Sequence, residues 1–378
     1  MEKKIYFDNN ATTKCIQEVL KEMEPYMKEQ FGNPSSIYSF GANVKDKINH
    51  ARQMVAKLLN AKTNEIVFTS GASESNTSAI MSAVKNNPEK KHIITTKVEH
   101  ASIMENMKYL EKQGYDITYL SVDNLGRLDL QQLEQSIRED TFLISIMMAN
   151  NEIGNIYPIQ EIGNLAKENK ILFHTDATQA VGKIKIDVQE LQVNTLAFSG
   201  HKIHAPKGIG VLYIKKDTPF IPLIFGHQEK NKRGGTENVP YIIGLGKAVE
   251  LILEDNYKTN EKIKQLRDYM ETEIKNNIED VLIYGDLDNR LCNTSNIAFK
   301  GVKAEELLLM LESFNIYVST GSACNSEVAE PSYVLTACNA DLNNYSPIRI
   351  SLGKDNTKEE IDIFVKNLKN IIKNLRRK

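Results

Sequence analysis

Residues 142–175 read FLISIMMANNEIGNIYPIQEIGNLAKENKILFHT. The opening run, FLISIMM (142–148), is continuously apolar, as a strand buried on both faces requires. With its neighbours it is far too short for the ~18 residues of a membrane span. A polar turn follows, then the helical segment IQEIGNLAKEN (159–169), then a second β-rich run, ILFHT (171–175). Strand, turn, helix and strand in that order make a unit of a mainly parallel sheet.

The same rhythm extends in both directions. EIVFTS (65–70), KHIITT (91–96) and GYDITYLSV (114–122) precede it, with the helical segment DLQQLEQSIRED at 129–140. NTLAFS (194–199) and GVLYIK (210–215) follow. From about residue 255 the pattern changes. A Lys/Glu-rich helical stretch at 241–276 leads into VLIYG (281–285), TSNIAF (294–299), the helix AEELLLMLESF (304–314), IYVST (316–320) and IRISL (348–352). The last helix opens on Thr357-x-x-Glu360, a capping box, and carries Ile361, Phe364, Val365, Leu368, Ile371, Ile372 and Leu375 on one face. The reading is a large α/β domain over 15–254. Residues 1–14 plus 255–378 form a smaller α+β domain.

Composition agrees with two such domains. The chain has 378 residues, 41% hydrophobic and 25% charged, enough for a sizeable core and unlike a disordered or collagenous chain. The net charge of −2 gives no footprint for nucleic acid or a membrane surface. The basic ending KNLRRK suits the C-terminal end of a helix dipole. MEKKIYFDNNATT lacks the apolar region of a signal peptide, and the expected location is cytoplasmic. Four cysteines (Cys15, Cys292, Cys324, Cys338) are no disulfide framework and form no C-x-x-C pair. His201 and His204 lack a third ligand nearby, so no metal is expected.

Ligands of open α/β sheets bind beyond the carboxyl ends of the strands. Polar clusters stand there in this chain. Gly71-Ala72-Ser73-Glu74-Ser75-Asn76 follows EIVFTS and offers backbone N–H groups to an anion at a helix N-terminus. His100, Asn150-Asn151-Glu152, Asp176 with Thr178 and Gln179, and Gly200-His201-Lys202 follow the other strands. Each has a plain reading: His100 a satisfied core histidine, Asp176 and Gln179 helix caps, Lys202 a surface residue. Together they supply a lysine, a carboxylate, amides, an imidazole and anion donors. That set suits pyridoxal phosphate.

HTDATQ (174–179), SGHK (199–202), RGGTENV (233–239) and TGSACNSEVAEPSYVL (320–335) closely resemble segments of the cysteine desulfurases, NifS/IscS-type. YFDNNATT (6–13), FGNPSS (31–36), FTSGASESN (68–76), EH (99–100) and ANNEIG (149–154) fit as well, so the resemblance spans the chain. It implies a fold-type-I pyridoxal 5′-phosphate enzyme that works as a homodimer on L-cysteine. Lys202 resembles the Schiff-base lysine and Asp176 the partner of the ring nitrogen. Gln179 would bond the ring oxygen, and His100 would stack on the ring and shuttle protons. Ala72, Ser73, Ser199 and His201 would hold the phosphate, with Thr236 reaching the neighbouring subunit's cofactor. Asn151 would touch cofactor and substrate, and Arg349 would fork the substrate carboxylate.

Cys324 separates this chemistry from a transaminase, which needs no loop cysteine. Its small polar flanks make poor core and a good loop. The resemblance implies that Cys324 takes the sulfur as a persulfide and passes it to an acceptor, an iron–sulfur scaffold or a tRNA-thiolation protein. A selenocysteine lyase, or an inactive relative serving as a scaffold, are the other readings. Four departures from the family's pattern stand out: Ser73 for Thr, Ala205 for Gly, Lys230-Asn231 for Arg-Gly, and Thr320 and Asn325 around the cysteine. None removes a catalytic group. Asn231 is the non-glycine residue best suited to a left-handed conformation.

Overall fold

The structure, a computed structural model, describes residues 4–320 and 331–377. In chain order its strands are β1 (Ile5–Tyr6), β2 (Ile66–Thr69), β3 (His92–Thr96), β4 (Asp116–Leu120), β5 (Thr141–Ser145) and β6 (Leu172–Asp176). There follow β7 (Thr195–Ser199), β8 (Gly210–Ile214), β9 (Val281–Tyr284), β10 (Thr294–Lys300), β11 (Ile316–Tyr317) and β12 (Tyr345–Ser351). Seven of them form one sheet in the order β2-β8-β7-β6-β5-β3-β4. β4, β3, β5, β6 and β7 pair in parallel, as expected. β8 runs antiparallel to both β7 and β2. The stretch 200–209 between β7 and β8 is too short for the crossover a parallel neighbour needs.

The continuous apolar runs are buried on both faces. Ile93 and Leu143 join the cluster beneath the helices Ala72–Asn86 and Ala101–Lys112, while Ile94 and Ile144 point into the opposite cluster. This alternation along doubly covered strands is why no polar face shows in the sequence.

A second apolar cluster joins Ile5 and Phe7 to residues between Ile263 and Leu375. It lies around the antiparallel sheet β12-β10-β9 and the β1–β11 pair. Phe7 meets Phe364 edge to face at 5.5 Å. The capping box of the helix Lys358–Leu375 is formed: Thr357 Oγ1 accepts from Glu360 N–H and Glu360 Oε2 from Thr357 N–H. Val334, Leu335 and Cys338 pack instead into the cluster of the large sheet.

Three expectations need correction. The stretch 241–276 is two helices, Val239–Asp255 and Lys258–Asn277, because Asn256 and Tyr257 turn left-handed between them (φ 49 and 62). The segment 129–140 is helical only over Leu130–Gln135, ending where Ser136 Oγ donates to the Gln132 carbonyl. IYVST contributes only the two residues of β11. No described helix is long and apolar enough to cross a membrane.

Candidate active site

At the carboxyl edge of the large sheet lies a cavity of about 610 Å³. Its walls bring together Ala72, Ser73, His100, Asn151, Asp176, Gln179, Ser199, His201, Lys202 and Arg349, every sequence-predicted residue except Thr236 and Cys324. Thr236 borders a separate cavity with Ser70, Gly208 and Arg233. Cys324 lies outside the described residues.

Strand ends and helix starts do the positioning. The helix Ala72–Asn86 begins at Gly71, so Ala72 and Ser73 occupy its first turn, where backbone N–H groups have no partner within the helix. That turn lies hard against β8. A Cβ on Gly210 would sit 2.6 Å from the Gly71 backbone, so only glycine serves at Gly210. Asp176 closes β6. Its Oδ1 accepts from Thr178 N–H at 2.9 Å and its Oδ2 from the Asn76 amide at 2.7 Å.

His100 caps the helix Ala101–Lys112, with Nδ1 accepting from Ser102 N–H at 3.1 Å. That bond makes Nδ1 the acceptor and leaves the proton of the neutral ring on Nε2. Burial, with Lys202 nearby, holds the imidazole below its ordinary range against the pull of Asp176. His201 is pressed down further, to about 4, by burial and by Lys202 and Lys207. Its Nδ1 lies 3.1 Å from Thr12 Oγ1.

Lys202 ends the short turn Gly200–Lys202 after β7. Its Nζ donates to the carbonyls of Asn10 and Ala11. Burial lowers it to about 8, helped by Lys183 and Arg349 and opposed by Asp8 and Asp176. An amine at that value is partly unprotonated near neutral pH, ready to accept a proton. Arg349, on β12, reaches the same cavity from the other sheet; it pairs with Asp8 at 2.7 Å and donates to the Asn151 carbonyl at 3.3 Å.

Sequence reasoning missed four contributors. Asn10 accepts from both Lys202 and Gln179 through its carbonyl. Asp8 holds Arg349. Asn76 and Ser102 brace Asp176 and His100. The signals that could have found them are local for three: Asn76 closes the polar cluster after EIVFTS, and Asp8 and Asn10 stand in YFDNNATT.

Two departures read in the sequence meet their geometry here. Glu229, Lys230 and Asn231 are left-handed in succession (φ 47, 56 and 64), so Asn231 does occupy such a position. Positive φ falls on His204 (φ 66) rather than on Ala205, which keeps its alanine unstrained.

The family model for aminotransferase class-V matches residues 5–364. The chain is 48% identical over 379 residues to the cysteine desulfurase IscS of Dictyoglomus turgidum, covering 100% of this chain and 96% of that one. A solved NIFS-like protein superposes with a TM-score of 0.92 at 38% identity, over 98% of this chain and 100% of that one. Another, described as SspA in complex with cysteine, does so at 0.82 and 38% identity, over 93% and 99%.

Proposed function

We propose, from the premise that this chain belongs to the aminotransferase class-V family and within it to the cysteine desulfurases, that its main cavity removes the sulfur of L-cysteine. The other product is L-alanine, and the sulfur is left as a persulfide on Cys324. The meeting of Lys202, Asp176 and His100 in one cavity carries this reading.

The donor set fits pyridoxal 5′-phosphate. The first-turn N–H groups of Ala72 and Ser73, with Ser199 and His201, suit a phosphate. Asp176 suits the ring nitrogen, Gln179 the ring oxygen, His100 the ring face, and Lys202 Nζ the covalent attachment. Asn151 Oδ1 and Thr178 Oγ1 are buried on the cavity wall with no hydrogen-bond partner among the described residues, as in a site built to receive a polar ligand. Bound there, the cofactor supplies an electron sink for the substrate Cα.

The chain's own residues supply the rest. Arg349 and Asn151 hold the substrate carboxylate. Lys202 Nζ, lowered to about 8 and so unprotonated in part near neutral pH, takes the Cα proton, and His100 Nε2–H stands by as a donor. The Cys324 thiolate forms a bond to the substrate sulfur as the substrate C–S bond breaks, and the carbon left behind gains protons to become L-alanine. Cys324 receives this role from TGSACNSEVAEPSYVL. A homodimer in which Thr236 serves the neighbouring site, a cytoplasmic location, and an iron–sulfur scaffold or other protein as sulfur acceptor complete the reading.

The test is to load the protein with pyridoxal phosphate, reduce it with borohydride and map the modified lysine, alongside alanine formation from L-cysteine. Modification of Lys202 and stoichiometric alanine are expected. A reduced adduct at another lysine, or no alanine, overturns the assignment.

A further inference from the structure

A second cavity, of about 250 Å³, lies behind the first and is lined by Lys183, Cys292, Asn293 and apolar residues that include Val181 and Leu352. Lys202 borders both cavities; Lys183 borders only the second. Lys183 stands four residues beyond Gln179, in the turns that follow β6, and sends Nζ back to it, to the main-chain carbonyl at 2.9 Å and to side-chain Oε1 at 3.2 Å. On its other side Gln179 Nε2 donates to the Asn10 carbonyl at 3.1 Å, the oxygen that also receives Lys202 Nζ.

A lysine ammonium has three donors and no acceptor. Beside Lys183, the Gln179 amide is therefore favoured in one sense only. The flipped amide would set its N–H groups against the ammonium and lose a hydrogen bond to a charged group. We propose that Lys183 is a positioning residue that locks the Gln179 amide, with Oε1 held by Lys183 Nζ and Nε2 left as the donor available to the ring oxygen of the cofactor. This rests on the reading of Gln179 given above.

The charged and titratable groups around Lys183 do not offer a competing acceptor in its place. Cys292 is raised by burial and stays a neutral thiol, and His204 is lowered by burial and stays neutral. Glu18, Asp255 and Lys354 border the same cavity, but Nζ bonds to Gln179. Burial brings Lys183 itself to about 8, so it is mainly an ammonium at neutral pH.

A donor to the ring oxygen favours its ionised form, so removing that donor raises the pH at which the visible absorption band of the loaded protein changes. Lys183→Met removes the lock, and the midpoint is expected to rise by about one pH unit. Gln179→Ala is expected to raise it as well. In the Gln179→Ala background, adding Lys183→Met is expected to move it clearly less than in the parent, because the residue it acts through is gone and only the direct effect of the Lys183 charge on Lys202 is left to lose. Lys183→Arg, another obligate donor, is expected to stay close to the parent protein and serves if Lys183→Met does not fold.

An unchanged midpoint in Lys183→Met beside a shifted one in Gln179→Ala overturns the role of Lys183 and spares that of Gln179. No shift in Gln179→Ala overturns the reading of Gln179 itself. Full additivity of the two substitutions, or a Lys183→Arg shift as large as that of Lys183→Met, overturns the lock.

Discussion

The Asn76 side-chain amide donates to Asp176 Oδ2 at 2.7 Å and to Ser102 Oγ at 2.9 Å. One amide thus braces the carboxylate at the end of β6 and the hydroxyl that lies 2.9 Å from His100 Nδ1. Its own Oδ1 lies 3.0 Å from His174 Nε2, so the whole side chain is spent on this network.

Asn76→Asp sets a second carboxylate against Asp176 and favours protonation of one of them. Affinity for pyridoxal phosphate is expected to fall at least tenfold. Asn76→Ala removes the hydrogen bond to the Asp176 carboxylate, about 1.5–3 kcal/mol, together with those to Ser102 and His174, and is expected to weaken binding by about tenfold or more. Absorbance titration of cofactor-free protein measures both, and parent-like affinity in Asn76→Asp refutes the bracing role.

Cys324→Ala leaves Lys202, Asp176 and the proposed phosphate donors in place. The variant is expected to bind cofactor and change spectrum with L-cysteine, while alanine formation drops on the order of 10³-fold or more. Persulfide labelling followed by mass spectrometry is expected to find nothing at position 324. Retention of most of the alanine and sulfide production removes Cys324 from the mechanism.

Glu99 gives a pH dependence whose sign is set. Burial raises its carboxyl from 4.5 to about 8, despite hydrogen bonds from Met147 N–H and Thr96 Oγ1, with Asp176 adding to the rise. A folded-state value above the unfolded one favours folding fully below about 4.5, and that contribution is lost as pH rises through 8. The melting temperature is expected to fall between pH 5 and 9 through this group. Glu99→Gln is expected to flatten that fall; an identical slope in the variant contradicts it.

Arg52 and Glu229 form a buried two-pronged ion pair, with contacts of 2.6 and 2.7 Å, and Glu229 also accepts from Phe68 N–H. The pair pins the left-handed turn that leads to Arg233 and Thr236. Arg52→Ala strands a buried carboxylate and is expected to cost about 3–5 kcal/mol in urea unfolding. A loss below about 1 kcal/mol, the worth of an exposed pair, tells against the pinning.

The α/β character, the strand positions and most of the cavity's residues are legible in the sequence. Buried strands are continuous apolar runs, and the chemistry sits within a few residues of their carboxyl ends, so both signals are local. Thr357 and Glu360 announce the last helix for the same reason, since a capping box is read within one turn. Periodicity fails where chain direction or a single dihedral decides. The reversal of β8 and the break at Asn256-Tyr257 change no apolar spacing; their marks are the short gap 200–209 and an asparagine suited to the left-handed region, which periodicity does not read.

By itself the sequence determined which side chains stand at which strand ends, because that placement depends only on where each buried run stops. The tertiary structure alone decided that the Asn10 carbonyl, 192 residues before Lys202, accepts from Lys202 Nζ, and that Asp8, 341 residues before Arg349, turns the guanidinium into the same cavity. Those contacts exist because β1 pairs with β11, and the isolated bridge Asp8–Ser351 carries the next residues along β12 toward the large sheet. A run of apolar residues records that it will be buried and leaves open which distant strand will cover it, since hydrophobic burial is non-directional and the partner is chosen by topology.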